Sequence, residues 1–495
     1  MANNVINDSR VLKEAAVLAD AGLRVTVLGV SLDEHSSVDR LDSGAVMVRL
    51  PGTFTFRDGR RGRRQRRRDW RLPLLGSHIP RELVVRKALL EARRAELNLN
   101  GRRSPGRVLG HQARQLAFAG ARARGLLIRQ QNLAFKFGWR VWDGVVARTP
   151  WAVSWPGTVP EAYDYETIFG AVIDRLDPDV IHAHDMHTIG VAVRAAARSK
   201  RSVKVVYDAH EYVPGIARYG ARTPRFIAAW ARHERDYLPI VDRVVTVSPA
   251  IAQRLRQEHA LKRLPDVILN TPDIPEAATV GEDIRSRLGL PVGVPLIVYS
   301  GGITVVRGID TAIRALPKLP GVHLAVVAVP SPDLPGVDVL RKLAADVGVT
   351  ERVHFTHPVG PREVTTFLRT ADAGIIPMLR APNHEMALPN KLFEYSLGGL
   401  PVLVSDMASL REFVTRTGIG EAFKAGDSAD FAAKCSLLLT RRGTYKLADP
   451  AFREEAAWSG QAARLRGVYG DLLEREVDAG KGVAADDYEL VSRLL

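Results

Sequence analysis

The sequence predicts an α/β protein in which two Rossmann-like domains face each other across a cleft. The chain has 495 residues, too many for a single hydrophobic core, so two domains are expected. Short apolar, β-rich runs alternate with helical patterns, which is typical of parallel sheets. The alternation starts again after a proline-containing linker at 271–278. The predicted boundaries are 1–272 for the N-terminal domain, 273–450 for the C-terminal domain, 451–474 for a final helix and 475–495 for a tail.

The N-terminal domain is predicted to begin with a helix. Asp8 and Ser9 can cap it, and apolar residues recur at helical spacing to about Ala21. Because this helix begins at residue 9, residues 1–7 leave room for a short first strand at best. The strands predicted in this half lie at 25–30, 45–50, 180–184, 203–208, 243–247 and 267–269.

The C-terminal domain repeats the same alternation. Ligands of such sheets bind beyond the carboxyl ends of the strands, and a cleft between two domains is a usual ligand site. Polar residues that follow the strands are therefore the candidates for a functional site. The strands predicted in this half lie at 296–300, 324–329, 353–356, 373–377 and 402–405.

Composition excludes several classes of protein. The sequence has no apolar run near 18 residues, so no membrane-spanning helix is expected. The first residues lack the charged and apolar regions of a signal peptide. A single cysteine, Cys435, excludes an intramolecular disulfide and a thiolate cluster for zinc. These features predict a cytoplasmic protein.

A strongly basic segment interrupts the N-terminal domain at 51–150. It holds 24 Lys and Arg residues against 6 Asp and Glu, whereas the whole chain has a net charge of +15. The excess peaks at 60–68, where repulsion between arginines predicts an exposed, poorly ordered stretch. Apolar and aromatic residues follow, and the segment is predicted to be a basic, helical insertion that binds an anionic membrane surface. Specific nucleic-acid binding is disfavoured because aromatic residues do not interleave the arginines. A solvated basic loop is the alternative.

The run 388–405 predicts a loop, a short helix beginning at Pro389, a Gly-Gly stop and a buried strand. The free N–H groups of a helix start suit a phosphate. Lys391 lies in the first turn, and Glu394 follows on the same side of the helix. A cation for a phosphate and a carboxylate for sugar hydroxyls, one turn apart, fit a nucleotide sugar. An ordinary amphipathic helix with an ion pair is the alternative.

A polar cluster ends the predicted strand at 180–184. His182 and His184 lie two residues apart and share a face, and Asp185 follows. A metal site is the alternative, but the spacing of the ligands does not favour it. We therefore assign His184 and Asp185 to the acceptor side of the cleft and no residue to a metal.

Two further strands end in polar or glycine-rich loops. His210 and Glu211 follow one of them, where a histidine can hydrogen-bond a sugar hydroxyl or shuttle a proton; bracing of the loop is the alternative. Gly301 and Gly302 follow the first strand of the second half. These glycines let the backbone approach a diphosphate, which Arg307 can neutralise.

Together these segments resemble the retaining glycosyltransferases of family 4, which adopt the two-domain B-type fold. The resemblance covers nearly the whole chain except residues 51–150 and the tail. The final helix, with Trp458 and Tyr469, resembles the segment that crosses back to the N-terminal domain. The resemblance is carried by residues 8–15, 179–185, 207–212, 247–249, 270 and 302–308.

The resemblance implies a role for each candidate residue. Glu394 holds the ribose hydroxyls of the donor, in a donor site that also includes Asn390. Arg307 meets the diphosphate with Lys391 nearby, and His210 lies beside the transferred sugar. We accordingly expect His210, Arg307 and Lys391 to be catalytic.

Two positions depart from the family pattern. The family often has a glutamate eight residues before the second one, where this chain has Met386, and Glu385 is one place away. An arginine often follows the loop glycine, where this chain has Gly302. Glu385, Gly301 and Gly302 are therefore assigned to the donor site with the class of donor left open.

The implied activity is transfer of a sugar from a nucleoside-diphosphate sugar to a glycan or lipid-linked acceptor with retained configuration. The nucleotide sugar is a co-substrate, and no cofactor is expected. Positioning and stabilisation of the departing diphosphate should dominate the rate. No metal is required if Arg307, Lys391 and a helix start supply the positive field. The alternatives are a catalytically silent homologue that acts as a membrane-bound partner in polysaccharide assembly and a sugar-nucleotide epimerase. We also assign Glu211 to the acceptor side of the cleft.

Overall fold

The computed structural model describes residues 1–6, 8–31, 33–69, 86–91, 105–149, 153–273, 281–480 and 488–494. Most of the predicted linker at 271–278 and the middle of the basic segment lie outside these ranges. The described residues form two compact units: residues 1–53 with 154–495, and residues 54–153.

The first unit contains thirteen strands in its described part. Most predicted strands lie within one or two residues of these positions. The strands are Thr26–Ser31 (β1), Ser37–Arg40 (β2), Val46–Pro51 (β3), Val180–His184 (β4), Lys204–Ala209 (β5), Arg243–Thr246 (β6), Asp266–Val267 (β7), Leu296–Gly302 (β8), His323–Val329 (β9), Val353–Thr356 (β10), Ala373–Ile376 (β11), Val402–Ser405 (β12) and Gly420–Phe423 (β13).

The strands form three sheets. In the N-terminal half the strand orders are β1-β3-β2 and β4-β5-β6-β7, and in the C-terminal half the order is β10-β9-β8-β11-β12-β13. Every pairing is parallel except that of β2 with β3. The prediction of two parallel-sheet α/β domains is therefore confirmed.

Helices cover the sheets, as parallel strands require. The helix of Ser9–Asp20 begins as predicted, because the Asp8 side chain accepts from the Val11 N–H. Further α-helices are Ala171–Leu176, Ile189–Arg198, Pro224–Tyr237, Pro249–His259, Ile284–Leu288, Ile309–Ala315, Pro335–Asp346, Val364–Leu368, Pro382–Met386, Asn390–Leu397, Ala408–Thr417, Ser428–Thr440, Pro450–Ala456, Trp458–Leu473 and Tyr488–Leu494.

The last long helix returns the chain to the N-terminal domain. The helix Pro450–Ala456 buries Phe452 in the C-terminal core. The next helix, Trp458–Leu473, instead packs Leu465 and Tyr469 against a core cluster that contains Val206. The two halves are thus joined both by the linker and by this final crossing.

The second unit is helical in its described part. It contains the helices Thr55–Asp69 and Pro105–Arg148. The arginine run at 60–68 lies within the first of these helices. Arginine is a good helix former, and this preference wins over the repulsion between neighbouring charges. Within the described residues, every helix is too short or too polar to cross a bilayer.

Candidate functional site

A buried carboxylate organises the carboxyl end of β5. Asp208 is fully buried near the end of that strand. Arg10, on the first helix, donates from Nε and Nη2 to both Asp208 oxygens at 2.7 and 2.9 Å. The rings of His184 and His210 each place a nitrogen 3.1 Å from Asp208 Oδ2. The predicted candidates His184 and His210 are therefore brought together by an aspartate that they share.

The charges of this cluster follow from the burial of Asp208. Burial alone would raise the pKa of Asp208, but Arg10 and His210 hold it well below its usual range. Burial alone would lower the pKa of His210, yet the Asp208 carboxylate raises it to about 9. Burial lowers the pKa of His184. At neutral pH His210 is therefore a cation and His184 is neutral.

The same cluster includes a set of potential metal ligands. Glu14, His182, His184 and Asp208 place ligand atoms within 4.8 Å of one another. Arg10, however, lies 2.7 Å from Asp208 and 3.1 Å from Glu14. A divalent ion would have to bind beside a permanent guanidinium charge, so this donor set does not fit a metal.

Asp185 and Glu211, predicted on the acceptor side, have different surroundings. Asp185 adopts a positive φ of 70°, and its Oδ1 accepts from the Met186 N–H at 2.7 Å. Burial alone would raise the pKa of Asp185, but the His187 ring, whose Nδ1 lies 3.4 Å from Asp185 Oδ2, and the charge of His210 lower it. Burial and the charge of Asp185 raise the pKa of Glu211. Asp185 is thus fixed within its turn, whereas Glu211 lies on the surface of the cleft.

The loop after β8 supplies a cation, Arg307, from the C-terminal domain. Arg307 ends a 3-10 turn, and its Nη1 lies 3.5 Å from the sulfur of Met378. The next residue, Gly308, has a φ of 68°, and a Cβ there would lie 1.8 Å from the Pro377 carbonyl oxygen. Only glycine fits this position, so the bend that directs Arg307 depends on it.

The helix Asn390–Leu397 carries the other predicted donor residues. Pro389 is the N-cap and not the first helical residue, a shift of one place from the prediction. The Lys391 ammonium lies 3.7 Å from the centre of the Tyr299 ring. A Cβ on Gly301, whose φ is 136°, would come within 2.8 Å of this ammonium. Gly301 thus gives Lys391 room beneath the loop.

The electrostatics of this helix favour an anion nearby. Burial, together with the charge of Arg307, lowers the pKa of Lys391 well below its usual range. Burial raises the pKa of Glu394, which lies on the next turn. Among the described residues, Lys391 and Glu394 form no ion pair with each other. The alternative of an ordinary amphipathic helix with an ion pair between these two residues therefore loses its main support.

Glu385 has other partners. Its carboxylate lies 2.6 Å from Arg380 and accepts from the Ala408 N–H at 2.8 Å. These contacts hold the start of the next helix. The adjacent Met386 has its carbonyl oxygen bound by the hydroxyl of Ser248, at 2.6 Å.

A cavity of about 180 Å³ lies between the two domains, where the strands of both sheets end. Four predicted residues line it: His210 and Glu211 from the N-terminal domain, and Arg307 and Asn390 from the C-terminal domain. The remaining predicted residues lie outside its lining, namely His184, Asp185, Gly301, Gly302, Glu385, Lys391 and Glu394.

The sequence analysis missed several residues of this cavity. Arg222 lines it and lies 4.9 Å above the Tyr219 ring. Asn383 and His384 also line it, and Asn383 Oδ1 accepts from the Tyr212 N–H across the domains at 2.8 Å. These residues come from loops and a one-turn helix far from any strand end. The sequence signal was only that an arginine and a tyrosine lie shortly after His210.

Two family profiles match this chain. The profile of Glycosyltransferase Family 4 matches residues 106–274, and that of Glycosyl transferases group 1 matches residues 294–441. A D-inositol 3-phosphate glycosyltransferase of Xylanimonas cellulosilytica is 27% identical over 308 residues, which are 60% of this chain and 68% of that protein. Its counterpart in Mycolicibacterium smegmatis is 28% identical, over 47% of this chain and 55% of that protein.

Solved structures share the architecture. The sucrose-phosphate synthase of Thermosynechococcus elongatus has a TM-score of 0.61 at 16% identity, covering 94% of this chain and 93% of that one. Anabaena HepE, in complex with UDP-glucose, has a TM-score of 0.51 at 17% identity, covering 62% and 83%. These similarities establish the predicted B-type fold.

Proposed function

Because the chain belongs to the family 4 glycosyltransferases, we propose that it moves a sugar from a nucleoside-diphosphate sugar to a glycan or lipid-linked acceptor. The observation that carries this proposal is the cavity between the domains. The protonated His210 lines it from the N-terminal domain, and Arg307 lines it from the C-terminal domain. A site with cations on both walls suits a substrate whose negative charge grows as it reacts.

The diphosphate of the donor is proposed to bind between Arg307 and Lys391. In the free protein, burial and the Arg307 charge lower the pKa of Lys391. An anion placed beside both groups would remove that penalty, so it would bind with favourable electrostatics. The start of the helix Asn390–Leu397 adds backbone N–H groups on the same side.

Glu394 is proposed to hold the ribose hydroxyls of the donor. It lies one turn after Lys391. Burial raises the pKa of Glu394, and the charges of Lys391 and Lys13 oppose this shift. Among the described residues, no side chain or backbone group forms a hydrogen bond with the Glu394 carboxylate. A half-buried acceptor of this kind is well suited to two neighbouring hydroxyl groups.

The chemistry we propose is retaining and independent of a metal. The acceptor oxygen forms a bond to the anomeric carbon, and the bond from that carbon to the diphosphate breaks. The acceptor proton passes to the departing diphosphate on the same face. His210 has a raised pKa of about 9, so it serves as a hydrogen-bond donor to the sugar and not as a base.

Binding of the donor requires the cleft to widen. The cavity measures about 180 Å³, whereas ligand pockets commonly measure roughly 300–1,000 Å³. The Tyr212–Asn383 and Ser248–Met386 hydrogen bonds join the two domains beside it. We propose that a hinge movement opens these contacts to admit the donor and that the domains then close around it, as hinged domains commonly do.

The basic insertion is proposed to bring the enzyme to the cytoplasmic face of an anionic membrane. The helix Pro105–Arg148 exposes Phe137 and Trp142 by 68% and 52%. Arg129 and Lys136 on the same helix are also exposed. Aromatic residues favour the lipid interface, and each basic residue near an anionic surface contributes about 1 kcal/mol.

Vesicle sedimentation tests the membrane proposal. Wild type should bind anionic vesicles at low salt and leave them at high salt, and neutral vesicles serve as the control. A variant with the arginines of 60–68 changed to glutamine should bind more weakly. Failure of the wild type to sediment with anionic vesicles at low salt would exclude this role.

A product assay tests the transferase activity. The protein is mixed with UDP-, GDP-, ADP- or TDP-sugars, with EDTA present, and with glycan, lipid-linked or D-inositol 3-phosphate acceptors. The last acceptor is included because the relatives carry that name. We expect acceptor-dependent release of nucleoside diphosphate and a product whose anomeric configuration, read by NMR, matches the donor. Release without a new glycoside, or an inverted product, would contradict the proposal.

A further inference from the structure

The loop after β11 brings a second histidine to the cavity between the domains. His384 lies on the short helix Pro382–Met386 and is 7% exposed. It lines the cavity together with His210 and Arg307. None of the roles assigned to the donor and acceptor sides includes this histidine. The hydrogen bonding of a buried imidazole decides which ligand groups it can hold.

The protonation of His384 follows from its partner in the loop. Its Nδ1 lies 2.7 Å from the Leu379 carbonyl oxygen. A carbonyl oxygen can only accept a hydrogen bond, so Nδ1 carries a proton and donates. Burial and the charge of Arg307 lower the pKa of His384, although the bond to Leu379 opposes the shift. The ring is therefore neutral at pH 7, and Nε2 keeps a lone pair that can accept.

The two residues that follow His384 have partners within the protein. The Glu385 carboxylate pairs with Arg380, at 2.6 Å. The Met386 carbonyl accepts from the Ser248 hydroxyl, and the Met386 side chain packs against the core of the N-terminal domain. Among the described residues, no group donates a hydrogen bond to His384 Nε2. This nitrogen is thus an acceptor that remains for a ligand in the cavity.

A neutral imidazole acceptor restricts the chemistry of that ligand. The lone pair of Nε2 repels the oxygens of a phosphate or a carboxylate, whereas a hydroxyl or amide N–H group can donate to it. The charge of Arg307 acts on His384, so the two side chains lie near each other. With the diphosphate at Arg307, the uncharged group that follows it in a nucleotide sugar is the transferred sugar.

We propose that His384 selects the transferred sugar by accepting a hydrogen bond at Nε2 from one of its hydroxyl or acetamido N–H groups. This inference rests on the proposed function and adds a specificity-determining residue to it. A sugar that lacks the bonded group leaves the acceptor unpaired and binds less well. The roles of Arg307, Lys391 and Glu394 toward the nucleotide do not depend on this contact.

The tautomer of His384 is measured directly by 15N NMR of the histidine rings at pH 7. The signals of His384 are identified by their loss in His384→Asn. We expect a protonated Nδ1 and an unprotonated Nε2. An imidazolium, or the tautomer with the proton on Nε2, would overturn the proposal, because Nε2 would then be a donor. This measurement requires no nucleotide.

Calorimetry with two variants tests the contact with the sugar. His384→Asn retains an amide N–H near the position of Nδ1 and has no group at the position of Nε2. His384→Gln reaches the position of Nε2 with an amide oxygen. The probes are UDP-glucose, UDP-galactose, UDP-N-acetylglucosamine, GDP-mannose and ADP-glucose, each compared with its free nucleoside diphosphate. The melting temperature of each variant shows that it is folded.

The expected result is a change in the ratio of two dissociation constants. For the probe that binds wild type best, the Kd of the nucleotide sugar divided by that of the free nucleoside diphosphate should rise about fivefold or more in His384→Asn, the size of one hydrogen bond. In His384→Gln this ratio should stay within about twofold of the wild-type value, because an acceptor is restored. The free nucleoside diphosphate should bind all three proteins alike.

Three outcomes would contradict the proposal in different ways. An unchanged ratio in His384→Asn would overturn the role of His384 and leave the proposed function intact. Equal losses for the nucleotide sugar and the free nucleoside diphosphate would overturn it as well, because His384 would then act by holding the loop. If no probe binds the wild type, the proposed function fails, and the inference that rests on it fails too.

Discussion

The raised pKa of His210 is the most readily tested consequence of the charge cluster around Asp208. The His210 ring is 19% exposed and lies 3.1 Å from the Asp208 carboxylate. Its pKa of about 9 stands against an ordinary value of 6.5. A difference of about 2.5 units corresponds to about 3 kcal/mol of folding free energy. His210→Gln keeps a hydrogen-bond donor but removes the titrating charge.

The sign of the pH effect is fixed by the direction of this shift. Because the folded pKa lies above the unfolded one, His210 stabilises the protein fully below pH 6.5, and the contribution is lost as the pH rises through 9. The stability difference between wild type and His210→Gln should therefore shrink by about 3 kcal/mol between pH 6 and pH 9.5.

Urea unfolding of both proteins at these two pH values measures the difference. His357→Gln, at an exposed histidine, is the matched control and should follow the wild type at both pH values. Parallel pH dependence in wild type and His210→Gln would refute the assignment of His210 as a cation. The proposal that His210 acts as a hydrogen-bond donor would then fail as well.

Three other substitutions probe the donor domain. Glu394→Ala should weaken nucleotide binding by about 1.5–3 kcal/mol in calorimetry, through loss of a charged acceptor, and unchanged affinity in a folded variant would remove Glu394 from the site. Arg307→Ala should lower kcat by at least tenfold, whereas the control Arg314→Ala, on the exposed face of the next helix, should not. Equal kinetic constants in the two variants would exclude the proposed contact of Arg307 with the diphosphate. Gly308→Ala should lower Tm by several degrees more than Gly321→Ala. Both glycines have φ near 70°, but only at Gly308 would the added Cβ lie 1.8 Å from a backbone oxygen. Equal losses of Tm would show that the loop after β8 can shift.

The strand ends could be predicted from the sequence because apolar runs stop where polar residues begin. The bounds of β4, β10 and β12 were predicted to the residue. The strands β2 and β13 were missed for physical reasons. β2 has the sequence Ser-Val-Asp-Arg and lies at an exposed edge, and β13 begins with a glycine. Neither carries the apolar run by which a buried strand is recognised.

Part of the candidate site followed from those strand ends. His210 and Arg307 each follow a strand, and the parallel topology brings both to one cavity. Asp208 was not singled out, because an aspartate inside a strand gives no sign that an arginine almost 200 residues earlier will pair with it. Arg222 and Asn383 reach the cavity through loop geometry, which a single sequence does not specify.

A thermal-shift panel tests most directly whether the cleft binds a nucleotide sugar. UDP-, GDP-, ADP- and TDP-sugars are each added to wild type and to Glu394→Ala. We predict that one of them raises Tm of the wild type by several degrees at saturating concentration, because a ligand that binds only the folded protein stabilises it. The shift should be smaller in Glu394→Ala. No shift with any of the four classes, or equal shifts in the two proteins, would contradict the account.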